Sequence, residues 1–380
     1  LANAILAEPA RNLANPDELQ RAETLCVETL EKQPALPQAW VNLGVVRQAL
    51  GGAAQALECF QRALQYQPEN ADARYNLAIA ELLTGRFESG WRNYEARWQT
   101  ANPVFASRGF KQPRWEGQEL AGRTLLIHAE QGMGDTIQFV RYLPAVAKFG
   151  GRVLFECPPS LKKLLSTVET AVKVLSRGER GPACDFQVPL LSLPLLMGTT
   201  LPGIPNRVPY LSVPERVQFN FPASPTDRLR VGIVWAGNPQ HGSDRSRSLA
   251  PALMAPLLAR TNVSYYSLQV GPASQQLGKL SMGGNIFDLS PQLTDFALTA
   301  AAIQQMDLVI SVDTAVAHLA GALAKPVWVL LPFAPDWRWL LEREDSPWYP
   351  TLRLFRQPSH GDWASVIARV VAALEGEVRC

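Results

Sequence analysis

The pattern of hydrophobic and polar positions changes character along this chain. Over about the first hundred residues, apolar positions recur at the spacing of amphipathic helices. Further on, short apolar runs rich in β-branched residues alternate with helical or loop segments, which is typical of a parallel sheet covered by helices on both faces. The runs predict strands at 124–128, 152–157, 172–175, 186–190, 230–235, 263–269, 286–289, 308–312 and 327–331. Helices are predicted from about residue 136 onward and over 296–305, 316–323 and 363–374.

The helical part repeats with a period of 34 residues. The positions that match at this period are Ala22, Ala56 and Gly90; Cys26, Phe60 and Tyr94; Leu30, Leu64 and Trp98; and Pro34 and Pro68. Small residues where paired helices touch, with large ones between repeats, are typical of tetratricopeptide (TPR) repeats. The unit at 37–70 is the clearest, and the first unit is truncated or divergent. Two roles stay open: a concave groove that binds a partner, or a packing cap for the next domain.

Proline-rich stretches separate the predicted domains. TPR repeats are expected at 1–103, a linker rich in Pro, Gly and Trp at 104–122, and two Rossmann-like domains at 123–225 and 226–380. The second ends in a closing helix, and core packing is expected for the tryptophans before it, Trp337, Trp339 and Trp348. The predicted fold class is therefore α-helical repeats followed by an α/β fold of two doubly wound domains.

The stretch 307–331 is read as strand, turn, helix and strand, and it carries the first candidate site. Asp313 follows the strand as a preferred N-cap residue. Thr314, His318 and Gly321 then recur on the helix face opposite the apolar one. Open α/β sheets bind ligands beyond the carboxyl ends of their strands, and helix N-termini favour anions. The alternative is an ordinary crossover helix with a surface histidine.

A second candidate loop follows the first predicted strand. Gly132, Gly134 and Asp135 stand at this strand-to-helix turn, where glycines let a ligand approach the backbone closely. The third glycine of a dinucleotide fingerprint is missing. Asp135 opens the helix and is expected to face the same kind of crevice.

A third candidate loop, 236–248, follows the strand that opens the last domain. Asn238, Arg245 and Arg247 lie in it among serines and a histidine. Guanidinium groups bind phosphate oxygens in bidentate fashion, so this loop is a candidate anion site. A solvated basic loop is the alternative.

Composition narrows the classes of partner. A formal net charge of +2 over 380 residues gives no reason to expect nucleic acid. No apolar run is long enough to span a bilayer, and no signal peptide opens the chain, so a cytoplasmic location is expected, with the inner membrane surface as an alternative. Five scattered cysteines lack metal-binding spacing and indicate a reducing compartment.

The two motifs, Gly132-Met133-Gly134-Asp135 and Asp313-Thr314-Ala315-Val316-Ala317-His318, resemble the hallmarks of the heptosyltransferases, which are glycosyltransferases of the GT-B fold. The repeats in front resemble those of TPR-linked bacterial glycosyltransferases and, more distantly, of O-linked N-acetylglucosamine transferases. The resemblance implies metal-independent, inverting transfer from a nucleoside-diphosphate sugar, with no further cofactor.

The same resemblance implies roles for the motif residues. Asp135 would be the general base on the acceptor hydroxyl, with Glu130 as the second candidate. The donor site would contain Gly132, Gly134, Asn238, Arg245, Arg247, Asp313, Thr314, Ala315 and His318. In it, Thr314, Ala315 and His318 would hold the donor phosphates, and Arg245 or Arg247 would neutralise the leaving diphosphate.

Three functions remain in competition at this point. The first is a glycosyltransferase whose 123–225 domain faces the acceptor and whose 226–380 domain binds the nucleotide sugar, with the TPR groove recruiting a protein or glycan acceptor. The second is a non-catalytic TPR scaffold with a degenerate GT-B part. The third is a sugar epimerase on the same fold, which would need additional catalytic carboxylates and no repeats.

Overall fold

A computed structural model describes residues 15–106, 108–168, 172–222, 228–279 and 286–377. The chain begins with antiparallel helices and continues into two parallel sheets. The predicted fold class is confirmed. Most of the expected first helix of the first repeat lies outside the described residues.

From residue 15 onward, the repeat region is built from five helices, α1 (Pro16–Lys32), α2 (Pro37–Ala49), α3 (Ala53–Tyr66), α4 (Ala71–Leu83) and α5 (Phe87–Tyr94). The pair α2–α3 is the repeat predicted at 37–70. Asn15 caps α1 and Asn70 caps α4, each accepting a hydrogen bond from a backbone N–H of the first turn. Each pair buries small and apolar residues against the next, as the 34-residue pattern requires.

The first sheet has four parallel strands in the order β3-β2-β1-β4: β1 (Thr124–His128), β2 (Arg152–Cys157), β3 (Val172–Ser176) and β4 (Phe186–Pro189). Its helices are α6 (Met133–Phe139), α7 (Leu143–Val146), α8 (Pro159–Leu165) and α9 (Leu193–Leu196). The helix expected from residue 136 through Ala147 begins earlier, at Met133, and breaks after Phe139 into short 3₁₀ and α turns. Pro144 contributes to the break because it has no N–H to donate.

The second sheet has six parallel strands in the order β10-β9-β8-β5-β6-β7. They are β5 (Leu229–Val234), β6 (Val263–Ser267), β7 (Ile286–Asp288), β8 (Leu308–Val312), β9 (Val327–Leu331) and β10 (Leu352–Arg356). The helices are α10 (Asp244–Arg247), α11 (Ala255–Leu258), α12 (Phe296–Gln304), α13 (Ala315–Ala322) and α14 (Trp363–Glu377). This is the strand order of a dinucleotide-binding domain, with its switch point between β5 and β8. Strand β10 was not predicted.

The repeats are not separate from the rest of the molecule. Leu82, Phe87, Trp91 and Tyr94 belong to the same apolar cluster as both sheets. Trp91 packs edge-to-face on Trp337, which follows β9. The end of the repeat region is therefore part of the main core.

The stretch expected to be a linker, 104–122, is also packed. Phe105, Trp115 and Leu120 are buried, and the Trp115 backbone N–H donates to Gln187 O on β4. These residues connect the repeats to the first sheet through contacts along its edge.

Candidate functional site

A cavity of about 1370 Å³ lies where the three parts of the chain meet. Its walls come from the carboxyl ends of β5, β6, β8 and β9, the start of α6, and the inner side of α2 and α4. Every predicted site residue lines it: Gly132, Gly134, Asp135, Asn238, Arg245, Arg247, Asp313, Thr314, Ala315 and His318. The cavity opens at the switch point of the second sheet, where such sheets bind ligands.

The N-terminus of α13 forms one wall of the cavity. Its N-cap is Thr314 rather than the predicted Asp313. The Thr314 hydroxyl is bonded to Ser311 Oγ at 2.9 Å, and α13 has no side-chain cap. Ala317 N donates to Thr314 O at 3.1 Å, so the backbone N–H groups of Ala315 and Val316 are those that remain available to an anion.

His318 lies one turn into α13 and is buried. Its ring stacks on Trp339, with centroids 5.3 Å apart, and its Nδ1 lies 2.9 Å from the Tyr349 hydroxyl. Burial lowers the pKa of His318 well below its usual range, and Arg338 and Arg141 add to the effect. His318 is therefore neutral at physiological pH and acts through hydrogen bonds, not charge.

Asp313 stands beside this histidine, with Oδ1 at 4.0 Å from His318 Nε2. Burial raises the pKa of Asp313 to about 6, repulsion from Asp336 adds to the rise, and Arg247 opposes it. The ordinary value is 3.8, so the folded protein holds this proton more tightly than the unfolded chain does.

We expect Asp313→Asn to stabilise the protein at neutral pH. A carboxyl whose folded pKa is raised contributes stability below its unfolded value and loses it as pH rises through the folded value. The gain over the parent should be about 3 kcal/mol above pH 7 and should vanish near pH 4. Urea unfolding of both proteins at several pH values measures it.

Asp345→Asn is the control for this experiment, since Arg343 lowers the pKa of that largely exposed carboxyl. It should give no gain as pH rises. An Asp313→Asn protein whose advantage is the same at pH 4 and pH 8 would show that Asp313 does not titrate as described.

The basic loop brings Arg247 to the opposite side of the α13 N-terminus. Arg247 Nε lies 3.6 Å from Asp244 Oδ1 and has no hydrogen-bond partner among the described residues. A Cβ at Gly237 would lie 2.5 Å from the Asp244 carboxylate and 2.7 Å from Arg247 Nη2, so a side chain there would displace the ends of these two side chains. The side chain of Gln269 holds the start of the loop by bonding Ala236 N and O, at 2.9 and 3.0 Å.

Asp135 lies at the third position of α6, whose N-cap is Gly132. Asp135 Oδ2 accepts a hydrogen bond from Gly132 N at 2.8 Å, and Oδ1 accepts one from Arg338. Arg338, which follows β9, also donates to Gln138 Oε1 at 2.6 Å and Asp336 Oδ1 at 2.9 Å. Burial opposes the charge of Arg338, but Asp336 and Asp135 outweigh it and raise its pKa. Sequence reasoning missed this arginine.

Two glycines of the candidate site, Gly134 and Gly321, lie against side chains of neighbouring elements. A Cβ at Gly134 would lie 2.9 Å from His318 Cδ2, so α6 and α13 touch directly. A Cβ at Gly321 would lie 2.6 Å from Tyr349 Cδ1, so Gly321 faces this ring and not the cavity. The predicted stripe of Thr314, His318 and Gly321 is therefore wrong in its last member.

The carboxylate of Glu130, the second candidate for the general base, is bonded to other groups of the protein. Both its oxygens accept from Arg97 of the repeat region, at 2.9 and 3.0 Å, and Oε1 also accepts from Leu191 N. The side chains of Arg97 and Glu130 are 0% and 4% exposed, so neither meets a substrate. The next residue, Gln131, donates to Tyr94 OH at 2.8 Å. The end of the repeats thus supports the loop that carries Asp135.

The tryptophans expected to pack in the core do so. Trp337, Trp339 and Trp348 are all buried, and Trp337 also lines the cavity. Across the residues the structure describes, no three His, Cys, Asp or Glu side chains are grouped closely enough to hold a metal ion. No helix in the same ranges is long and apolar enough to cross a membrane.

Comparison with known families adds two matches. Residues 48–90 match the tetratricopeptide repeat family, and residues 274–331 match glycosyltransferase family 9 (heptosyltransferase). The second match contains α13 and its Asp313–His318 motif. The protein is a TPR-linked glycosyltransferase.

This glycosyltransferase is similar along its length to a curated protein. Protein FlbA of Caulobacter vibrioides is 27% identical over 442 residues, which covers 97% of this chain and 72% of that protein. Among solved structures, E. coli ADP-heptose lps heptosyltransferase II has a TM-score of 0.48 at 13% identity, covering 67% of this chain and 98% of its own. The O-GlcNAc transferase of Thermobaculum terrenum has a TM-score of 0.32 at 13% identity, covering 100% and 92%.

Proposed function

We propose that the cavity binds a nucleoside-diphosphate sugar and that the sugar is transferred with inversion and without a metal ion. One observation carries the proposal: Asp135 and the uncapped N-terminus of α13 line the same cavity from opposite halves of the fold. A base and an anion site facing each other suit displacement of a diphosphate from one side of a sugar by an acceptor on the other.

The donor diphosphate would lie at the start of α13. The free N–H groups of the first turn, the Thr314 hydroxyl and neutral His318 offer hydrogen bonds, and Arg247 offers charge. Charge from Arg247 and from the helix end would stabilise the departing diphosphate, which is the task a metal ion performs in other sites.

Asp135 would take the proton from the acceptor hydroxyl. Each of its oxygens accepts one hydrogen bond, from Gly132 N or from Arg338, and keeps a second lone pair for the substrate. The side chain is 19% exposed, so the cavity reaches it. These two bonds also fix the direction of the carboxylate, as a base in an ordered transition state requires.

The acceptor would approach along the repeats. Gln48, Tyr75, Asn76 and Ile79 on the inner side of α2 and α4 form a wall of the same cavity. Their mix of amide, aromatic and apolar groups suits a protein or glycan acceptor. The repeats therefore both support the site and extend it, so the two roles left open by the sequence are combined.

We expect ADP, GDP or UDP to raise the melting temperature of the protein, and we expect two substitutions to weaken this binding. Arg247→Ala removes a charged donor and should lower affinity roughly 10- to 150-fold, and His318→Ala should lower it roughly 2- to 12-fold. Isothermal titration calorimetry, with the diphosphate that raises the melting temperature most, gives the affinity of both variants.

Arg353→Ala is the matched control, since Arg353 lies on β10, outside the cavity, and is half exposed. Its affinity should equal the parent's. Equal affinity in all three variants would place the nucleotide elsewhere. Failure of every nucleoside diphosphate to bind would favour the scaffold alternative.

A further inference from the structure

The inner side of His318 is connected to a chain of hydroxyl groups that the proposed reaction does not use. His318 Nδ1 lies 2.9 Å from the Tyr349 hydroxyl, which lies 3.4 Å from the Tyr210 hydroxyl. Arg141 donates to Tyr210 from Nη2 at 2.9 Å. His318 lines the cavity, whereas Tyr349, Tyr210 and Arg141 do not.

The series of hydrogen-bonded groups begins at Arg141. Among the described residues, this cation forms no ion pair with a carboxylate. Arg141 is buried and donates to the carbonyl oxygens of Gln138 and Trp348, each at 2.7 Å, as well as to Tyr210. Its guanidinium also lies over the Tyr349 ring, 4.5 Å from the centroid. Arg141 has only donors, so the direction of the first hydrogen bond is fixed.

The direction of the remaining bonds follows from the distances. Tyr210 has one proton, and Ile137 O at 3.0 Å is nearer to it than Tyr349 at 3.4 Å. The Tyr349 proton then goes to its nearer partner, His318 Nδ1. Burial raises the pKa of Tyr349 well above its usual range, so this hydroxyl keeps its proton.

We propose that Tyr349 is a positioning residue that fixes His318 in the tautomer with its proton on Nε2. A neutral imidazole whose Nδ1 accepts a hydrogen bond carries its proton on the other nitrogen. Nε2, the ring nitrogen near Asp313, is then a donor. In the donor site proposed above, on which this step rests, His318 would be a neutral donor to a phosphate oxygen.

The glycine that lies against the Tyr349 ring supports the positioning role of this tyrosine. Gly321 lies one turn beyond His318, and any side chain there would displace the Tyr349 ring. The sequence placed Gly321 in a functional stripe with His318. The structure assigns the glycine to the tyrosine that orients the histidine.

Tyr349→Phe tests the inference because it removes the hydroxyl and keeps the ring. The chain has only four histidines, so ¹⁵N-histidine labelling gives few imidazole signals, and His318→Ala identifies the one of interest. In the parent, His318 should show a protonated Nε2 and a bare, hydrogen-bonded Nδ1. In Tyr349→Phe the two tautomers should mix, and affinity for ADP, GDP or UDP should fall roughly 2- to 12-fold.

Tyr266→Phe is the matched control, since the Tyr266 hydroxyl is buried and has no partner in the described ranges. It should leave both readouts at parent values. A proton on Nδ1 in the parent, or unchanged signals in Tyr349→Phe, would overturn the inference. Weaker binding in His318→Ala together with parental affinity in Tyr349→Phe would also overturn the inference. Parental affinity in both would refute the donor site itself, whatever the tautomer.

Discussion

Asp135→Asn should lower the rate of sugar transfer roughly 10²- to 10⁴-fold, the contribution typical of a positioned general base. The asparagine oxygen can still accept from Gly132 N or from Arg338, so one of these two contacts should persist and the other is lost. Donor affinity should be nearly unchanged, so the loss should fall on kcat. Hydrolysis of the sugar nucleotide, with water as acceptor, measures it without knowledge of the natural acceptor.

The matched variant is Asp336→Asn, which removes another carboxylate bonded to Arg338 but leaves the Gly132 turn intact. If Asp135 acts only through the charge around Arg338, the two variants should lose similar activity. If it is the base, Asp135→Asn should lose far more. A variant of Asp135 that works at the parent's rate would remove it from the mechanism, and Glu130 could not replace it because its side chain is 4% exposed and does not line the cavity.

Arg97→Ala should lower the free energy of unfolding by roughly 3–5 kcal/mol, the cost typical of leaving one member of a buried ion pair without its partner. The change leaves the Glu130 carboxylate inside the protein with only Leu191 N as a donor among its described contacts. It also removes the hydrogen bond from Arg97 to Ser192 Oγ. Urea unfolding followed by circular dichroism gives the value.

Arg47→Ala is the control, because the Arg47–Glu23 pair lies within the repeats and is partly exposed. Its cost should be roughly 0.2–1 kcal/mol, as for other surface pairs. Equal, small costs for both variants would show that the repeat region is held by apolar packing alone.

The contacts of Arg97 indicate what happens to the protein when the residues before 102 are removed. If the repeats only recruited the acceptor, such a truncation would keep hydrolysis of the sugar nucleotide and lose transfer to the acceptor. In the structure the cut removes Trp91 and Tyr94 from the core and Arg97 from Glu130. A truncated protein should therefore lose its fold along with its acceptor.

Local patterns were enough to predict the helical repeats, the longer helices and most strands, and to select candidate residues that the structure brings to one cavity. Parallel strands of one sheet bring their carboxyl ends to one edge, so residues placed after 234 and 312 had to meet there, whereas the loop after 128 belongs to the other sheet. Ends of elements were less certain, because both Asp313 and Thr314 are good N-cap residues and the choice depends on backbone geometry.

Contacts between distant segments could not be predicted. Arg338 is 203 residues from Asp135, and neither residue carries a local signal of the other. Gly134 and Gly321 indicated close approach, but the sequence does not say whether a ligand or a side chain approaches. Strand β10 was missed because its exposed Arg353 interrupts the apolar run.

The anchoring of the helical array at its α5 end has a consequence for how this enzyme can vary. In a solenoid each repeat contacts only its neighbours. Here the end of α5 is hydrogen-bonded to the loop that carries Asp135, whereas α1 contacts its neighbour α2. A repeat inserted between α1 and α2 would therefore lengthen the proposed acceptor surface without moving Asp135 or the proposed donor site. The length of acceptor that the protein recognises and the chemistry it performs can change independently.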